Sequence, residues 1–283
     1  STGTTCKKTP GNSMKTKINF RKIFTIAGWT VLAAGVMVLL GFVSHEQDVL
    51  RCSGIVIHMD GDLGHEFVDH QEIIQLVNSK GKVTGKPIGT INTSLLEKII
   101  LTNPFVESVE VYSAIGGKLH VDLVQRNPIV RIVNKNDEQF YIDQTGTFMP
   151  VSDRYTPPAL VANGYIFNTY AELKVGYRFQ SKDTTQAQLP RTIEQVYALA
   201  RFIEADTFWS ANAEQIYVNE QQELELIPRF GDHRILVGDT TAMADKFNRL
   251  MVFYRDGLNK TGWNNYNLIN LKFKGQVVCT KTN

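Results

Sequence analysis

NTSLLEKIILTNPFVESVEVYSAIGGKLHVDLVQ, residues Asn92 to Gln125, contains in one run a capped amphipathic helix, a stop and a two-stranded hairpin. Asn92 stands where a helix N-cap is needed, and Leu95, Leu96, Ile99 and Ile100 recur at the spacing of one helix face. Asn103 and Pro104 end that helix, since proline withholds an amide and restricts the residue before it. Val109 and Val111 then alternate with Glu110 and Tyr112. After Gly116 and Gly117, Leu119, Val121 and Leu123 alternate with His120 and Asp122. This is a hairpin with one buried face and a glycine turn.

Upstream, Ile55, Val56, Ile57 and Met59 form a short strand closed by Asp60, Gly61 and Asp62. Asp69 precedes Glu72 at capping-box spacing, and Ile73, Ile74, Leu76 and Val77 give the next helix an apolar face. The order is strand, helix, helix, strand, strand. Two helices laid on one face of a three-stranded sheet bury both apolar stripes, so residues 53–127 are expected to form one unit.

Before this unit, Ile23 to Val43 (IFTIAGWTVLAAGVMVLLGFV) has no charged residue. As a helix rising about 1.5 Å per residue it matches a hydrocarbon core of roughly 30 Å, and residues 23–43 are expected to cross a membrane. Lys7, Lys8, Lys15, Lys17, Arg21 and Lys22 precede it, and Glu46 and Asp48 follow it. That bias places residues 1–22 as a cytoplasmic tail, 44–52 as a linker, and the rest on the far side. A cleaved signal peptide and a buried core helix are the competing readings. The first needs a shorter apolar core and a small-residue cleavage site, the second a polar stripe. Residues 1–13, rich in Thr, Gly and Ser and followed by Met14, read as disordered or extraneous.

The chain carries 30 Lys and Arg against 28 acidic residues, but six of those cations lie before Ile23, so the translocated part is net acidic. No basic stripe interleaved with aromatics appears in it, which argues against nucleic-acid binding. Of the three cysteines, Cys6 falls on the opposite side from Cys52 and Cys279; the latter two are expected to be separate free thiols.

Gln125, Arg126, Asn127 and Pro128 end one strand, and Ile129 to Val133 begin another, a natural domain joint. In residues 128–283, Tyr141, Ile142 and Asp143 run into a turn at Gly146, and Ala159 to Ala162 form a short strand. Asn168 to Gln188 reads as an insertion or loop. Thr192 and Gln195 have capping-box spacing before a helix with Ile193, Val196, Leu199 and Ile203 inward. Ile216 with Val218, Leu224 with Leu226, and Ile235 with Val237 are strands. A helix from about Thr241 is expected to stop before Gly257, and Tyr266–Phe273 and Gln276–Thr280 to form two strands around Lys274 and Gly275.

NPFVESVEV from Asn103, GGKLHVDLVQRNPIVRI ending at Ile132, and FYIDQTGTF from Phe140 together resemble the FtsQ/DivIB family of bacterial cell-division proteins. The resemblance implies an α+β chain: a single transmembrane helix, a polypeptide-transport-associated (POTRA) domain of order β-α-α-β-β, and a larger mixed β domain with flanking helices. It also implies a scaffold of the inner membrane at the division septum, with its C-terminal domains periplasmic. Its partners would be FtsB- and FtsL-type proteins, recruited by adding a strand to an exposed sheet edge. The matching segment, Leu268 to Thr280, makes Leu271, Phe273, Lys274, Gly275, Gln276, Val277, Val278 and Thr280 the expected partner-binding residues. A terminal hairpin that merely closes its own sheet is the plainer reading of that segment. Two other classes stay open: an envelope component handling polypeptides in outer-membrane assembly or secretion, and a membrane-anchored wall enzyme.

No catalytic, cofactor or metal site is expected. His58, Asp60, Asp62 and His65 share a loop but fit no calcium-loop spacing. His65, Glu66 and His70 put the two histidines five apart, off a common helix face. Gly81, Gly85 and Lys86 are one residue short of a phosphate loop, with Pro87 where Ser or Thr would hold magnesium. No nucleophile-elbow motif and no pair of acid-base carboxylates stands out.

Overall fold

The computed structural model describes residues 28–38, 50–60, 67–114, 116–176 and 191–282. Residues 28–38 are helical (α1), with Trp29, Val31, Leu32, Met37 and Val38 exposed. The remainder of the expected 23–43 span lies outside the described residues, and among those described no helix is long and apolar enough to cross a membrane.

The first sheet holds β1 (Gly54–Asp60), β2 (Val106–Ala114) and β3 (Lys118–Gln125) in the order β1-β3-β2, with β1 parallel and β2 antiparallel to β3. On it lie α2 (His70–Asn78) and α3 (Thr93–Ile100). Ile73 and Val77 of α2, Leu96 and Ile100 of α3, and Leu119, Val121 and Leu123 of β3 form the core. Each such side chain contributes about 1.5–3 kcal/mol on full burial. The α3 stripe is narrower than its sequence suggests, for Leu95 is exposed. Asn92 caps α3, its side chain accepting from the Leu95 amide at 2.9 Å. Asp69 caps α2, but the box is half formed: Glu72 accepts from the Asn103 side chain at 2.8 Å, tying α2 to the end of α3.

The second sheet has nine strands in the order β12-β11-β10-β9-β8-β7-β4-β5-β6. They are β4 (Pro128–Val133), β5 (Gln139–Asp143), β6 (Phe148–Pro150), β7 (Leu160–Gly164), β8 (Ala213–Val218), β9 (Leu224–Pro228), β10 (Arg234–Gly238), β11 (Tyr266–Asn270) and β12 (Val278–Lys281). Around it are α4 (Tyr170–Gly176), α5 (Arg191–Glu204), α6 (Thr207–Asn212) and α7 (Met243–Val252). α4 occupies the first part of the expected insertion; residues 177–190 are outside the described set. Ile193, Val196, Leu199 and Ile203 of α5 join the core with Ile216, Leu226, Phe247 and Ile269.

Two helix ends differ from their sequence signals. Thr192 lies inside α5, where its hydroxyl donates to the Gln222 side chain at 2.5 Å instead of capping. The helix after Thr241 does not stop before Gly257. It passes into a wider π-type stretch, Phe253–Leu258, then Asn259–Thr261, and ends at Gly262 with φ +93°. Burial of Tyr254 and Leu258 explains the continuation: the apolar face persists past Gly257 and the chain widens to keep it inward.

The two units meet through β5 and β6, whose residues alternate between cores as strand geometry requires. Phe140, Ile142 and Phe148 point into the second core, while Tyr141 and Met149, both fully buried, pack with the first. Phe67 stacks on Phe105 and meets the edge of Tyr155 across the same joint. Asp143 locks the joint beside Pro128. One carboxylate oxygen accepts from Arg126 at 2.8 Å, and the other accepts from the amides of Thr145 and Thr147 and the Thr145 hydroxyl.

Candidate functional site

β12 has β11 on one side and no neighbour among the described strands on the other. It is short and antiparallel to β11, with Leu268 opposite Thr280, Ile269 opposite Cys279 and Asn270 opposite Val278. The Thr282 amide donates inward to the Asn265 carbonyl at 3.1 Å. Extended strands alternate the direction of their amides, so the N–H and C=O groups of Cys279 and Lys281 face outward, away from β11. These are unpaired ladder groups, the chemistry by which another extended chain is bound.

Side chains alternate in the other sense. Val277 and Cys279 pack against the core, whereas Val278, at 41% exposure, and Thr280 lie on the open face. Burial pushes the Cys279 thiol up from its ordinary pKa, which disfavours the thiolate. Cys52 is free and buried in the first core, so the two thiols are separate, as their positions in sequence suggest.

Between β11 and β12 runs a connection of residues 271–277, longer than a turn at Lys274 and Gly275 alone. Leu271, one of the expected partner-binding residues, is completely buried, and its amide donates to the Leu236 carbonyl at 2.9 Å, so it supports the hairpin from within. Phe273, at 47% exposure, Lys274, Gly275 and Gln276 are on the surface. Gly275 adopts φ +74°, a conformation that other residues reach only with strain. Lys272, which no local sequence signal marks, reaches Glu223 at 2.5 Å and fixes the start of the connection to the β8–β9 turn.

A second residue that the sequence left unmarked is Arg249 on α7. Its guanidinium donates to the carbonyls of Phe273 at 2.8 Å, of Leu271 at 3.3 Å and of Gln276, while its Nε bonds Asp245 at 3.1 Å. In sequence it is one charge on the polar side of an amphipathic helix, with nothing local to mark its targets. The N-terminal end of α7 is held likewise: buried Lys246 donates to the carboxylate and carbonyl of Asp239, both at 2.8 Å. Those bonds, with the Thr241 contacts, bring the Asp239 pKa down to about 2.

A cavity of 360 Å³ at this end of the sheet is lined by Arg191, Gln195, Gln222, Glu223, Asp239, Lys246 and Lys272, among others. Both of its carboxylates are bound to lysines, and its lining has no histidine, cysteine or serine. No cluster of three or more metal-binding side chains occurs among the described residues. Asp62, His65 and Glu66 lie outside them; His58 and Asp60 are exposed and 4.0 Å apart.

A helix-covered βααββ unit is joined to a larger mixed sheet, and both units match known families. A POTRA-like domain matches residues 50–124, and the domain described as FtsQ/DivIB, C-terminal related, matches residues 127–280. The latter covers more than half the chain, which therefore belongs to the FtsQ/DivIB family and is a division-related protein. No curated protein matches it.

Proposed function

We propose that this protein is a non-enzymatic, single-pass scaffold of the bacterial divisome whose C-terminal sheet edge recruits FtsB- and FtsL-type partners by strand addition. The observation that carries the reading is β12 itself, a terminal strand with the outward amides of Cys279 and Lys281 unpaired. Val278 and Thr280 supply the side chains that a tenth strand meets, and Phe273 stands exposed beside them. Membrane attachment rests on the charge-free run from Ile23 to Val43, and the exposed apolar side chains of α1 suit a lipid environment. In this reading residues 1–22 are cytoplasmic, residues 53–127 are the POTRA domain, and residues 128–283 are the β domain, with both domains periplasmic at the septum.

The test is binding of the full chain to the periplasmic segment of an FtsB-type partner, with Lys281→Pro as the discriminating variant. Lys281 is exposed, and its amide faces away from β11, so proline removes one partner bond while sparing the chain's own ladder. One hydrogen bond of about 0.5–1.5 kcal/mol corresponds to roughly two- to tenfold weaker binding. Unchanged binding by a folded variant rules out strand addition at this edge.

A further inference from the structure

We infer that Arg249 is a positioning residue that holds the β11–β12 connection in its docking shape before a partner arrives. The inference rests on the strand-addition reading and goes on to say how the edge is kept ready.

Backbone polar groups need partners, and the connection has few of its own. Among the described residues, no backbone-to-backbone hydrogen bond involves residues 272–277; within the connection only the Leu271 amide makes one, to Leu236. The Lys272 amide turns back to the Asn270 side chain at 2.9 Å. The carbonyls of Leu271, Phe273 and Gln276 all converge on Arg249. One guanidinium thus does for this connection what ladder bonds do for a strand.

The chemistry suits arginine in particular. Its planar fork carries five N–H donors in fixed directions; Nε is used on Asp245, and both terminal nitrogens remain for carbonyls. Lysine has three donors on a compact head and no planar fork, so it does not span three carbonyls in the same geometry. α7 is a rigid platform for this contact, because Phe247 and Leu250 are buried in the core and Lys246 ties its first turn to Asp239.

The consequence for docking is entropic. β12 is four residues long and, among the described strands, has a neighbour on one side only, so its order depends on how its entry is held. With the preceding carbonyls fixed, Val278 enters in register and Phe273 is displayed in one place. A partner strand then adds to an edge that is already ordered, and less conformational freedom is lost on binding.

The experiment compares the detergent-solubilised full chain with Arg249→Met, which keeps the length of the stem, and with Arg249→Lys. Hydrogen exchange is followed along the chain, and affinity is measured for the periplasmic segment of an FtsB-type partner. The Met variant is expected to exchange about tenfold faster within residues 271–282 only, and to bind roughly tenfold more weakly with a slower association rate. The Lys variant is expected to fall between Met and wild type in both readouts. Faster local exchange with wild-type affinity overturns the inference. So does unchanged exchange at 271–282, or faster exchange throughout the second sheet, which marks Arg249 as an ordinary stabilising residue. Failure of the wild-type chain itself to bind overturns the strand-addition reading, a result distinct from the others.

Discussion

The nine-stranded sheet has two ends, and the chain treats them oppositely. At the β6 end, β5 and β6 are buried on both faces: Phe140, Ile142 and Phe148 face one core, Tyr141 and Met149 the other. At the β12 end, Val278 and Thr280 are exposed, Cys279 and Lys281 direct amides outward, and an arginine stands in for ladder bonds in the preceding connection. Exposed strand edges invite pairing and are normally blunted or covered. At one end both faces of the sheet are covered, each by a core, and at the other one face is open beside outward amides.

The contrast is broken most strongly by removing Asp143. Its carboxylate is fully buried and bound to Arg126, so Asp143→Ala strands a partly buried cation and three further donors, the amides of Thr145 and Thr147 and the Thr145 hydroxyl. A loss of about 3–5 kcal/mol is expected, measured by denaturant unfolding. Next comes Met149→Ala, which empties space between the domains; about 2–5 kcal/mol is expected, again by denaturant unfolding, with faster exchange on both sides of the joint.

Acid probes the opposite side of the sheet. His233 is buried under Phe230 and Tyr254, with Nε2 2.8 Å from the Tyr254 hydroxyl and Nδ1 without a hydrogen-bond partner. Burial lowers its pKa below the ordinary 6.5, so the unfolded chain takes up the proton first as pH falls. Stability is full above about pH 6.5 and declines from there towards the depressed folded value, with a fall in Tm of a few degrees. Thermal melts at pH 7.5, 6 and 5 read this, and His233→Gln should flatten the decline. The smallest stability effect belongs to Val278→Asp on the open face. Unfolding free energy should change by less than about 0.5 kcal/mol, while partner binding weakens several-fold, which a titration against the FtsB-type segment measures.

What could be read in advance follows the range of the forces involved. The β2–β3 hairpin was legible because alternation and two glycines are local signals, and both glycines indeed take positive φ. Asn92 was legible for the same reason, since a cap bonds three residues away. The edge position of β12 was read through family resemblance; nothing in its own four residues says which strand it pairs with. Tyr141 and Met149 look like any residues of two-sided strands, and their service to the other domain appears only once β5 lies against it. Arg249 and Lys272 carry no local signal because the carbonyls that Arg249 binds and the carboxylate that Lys272 reaches are 22 or more residues away. Gly257 misled because the need to bury Tyr254 and Leu258 outweighed a local stop signal.

Strand number also fixes a length. Neighbouring strands lie about 4.8 Å apart, so the eight intervals from β6 to β12 measure roughly 40 Å along the sheet. A chain that adds to β12 is therefore held at a set distance from β6. The sheet is in effect a ruler whose graduations are strands, and inserting or deleting one would move the open edge by a single step.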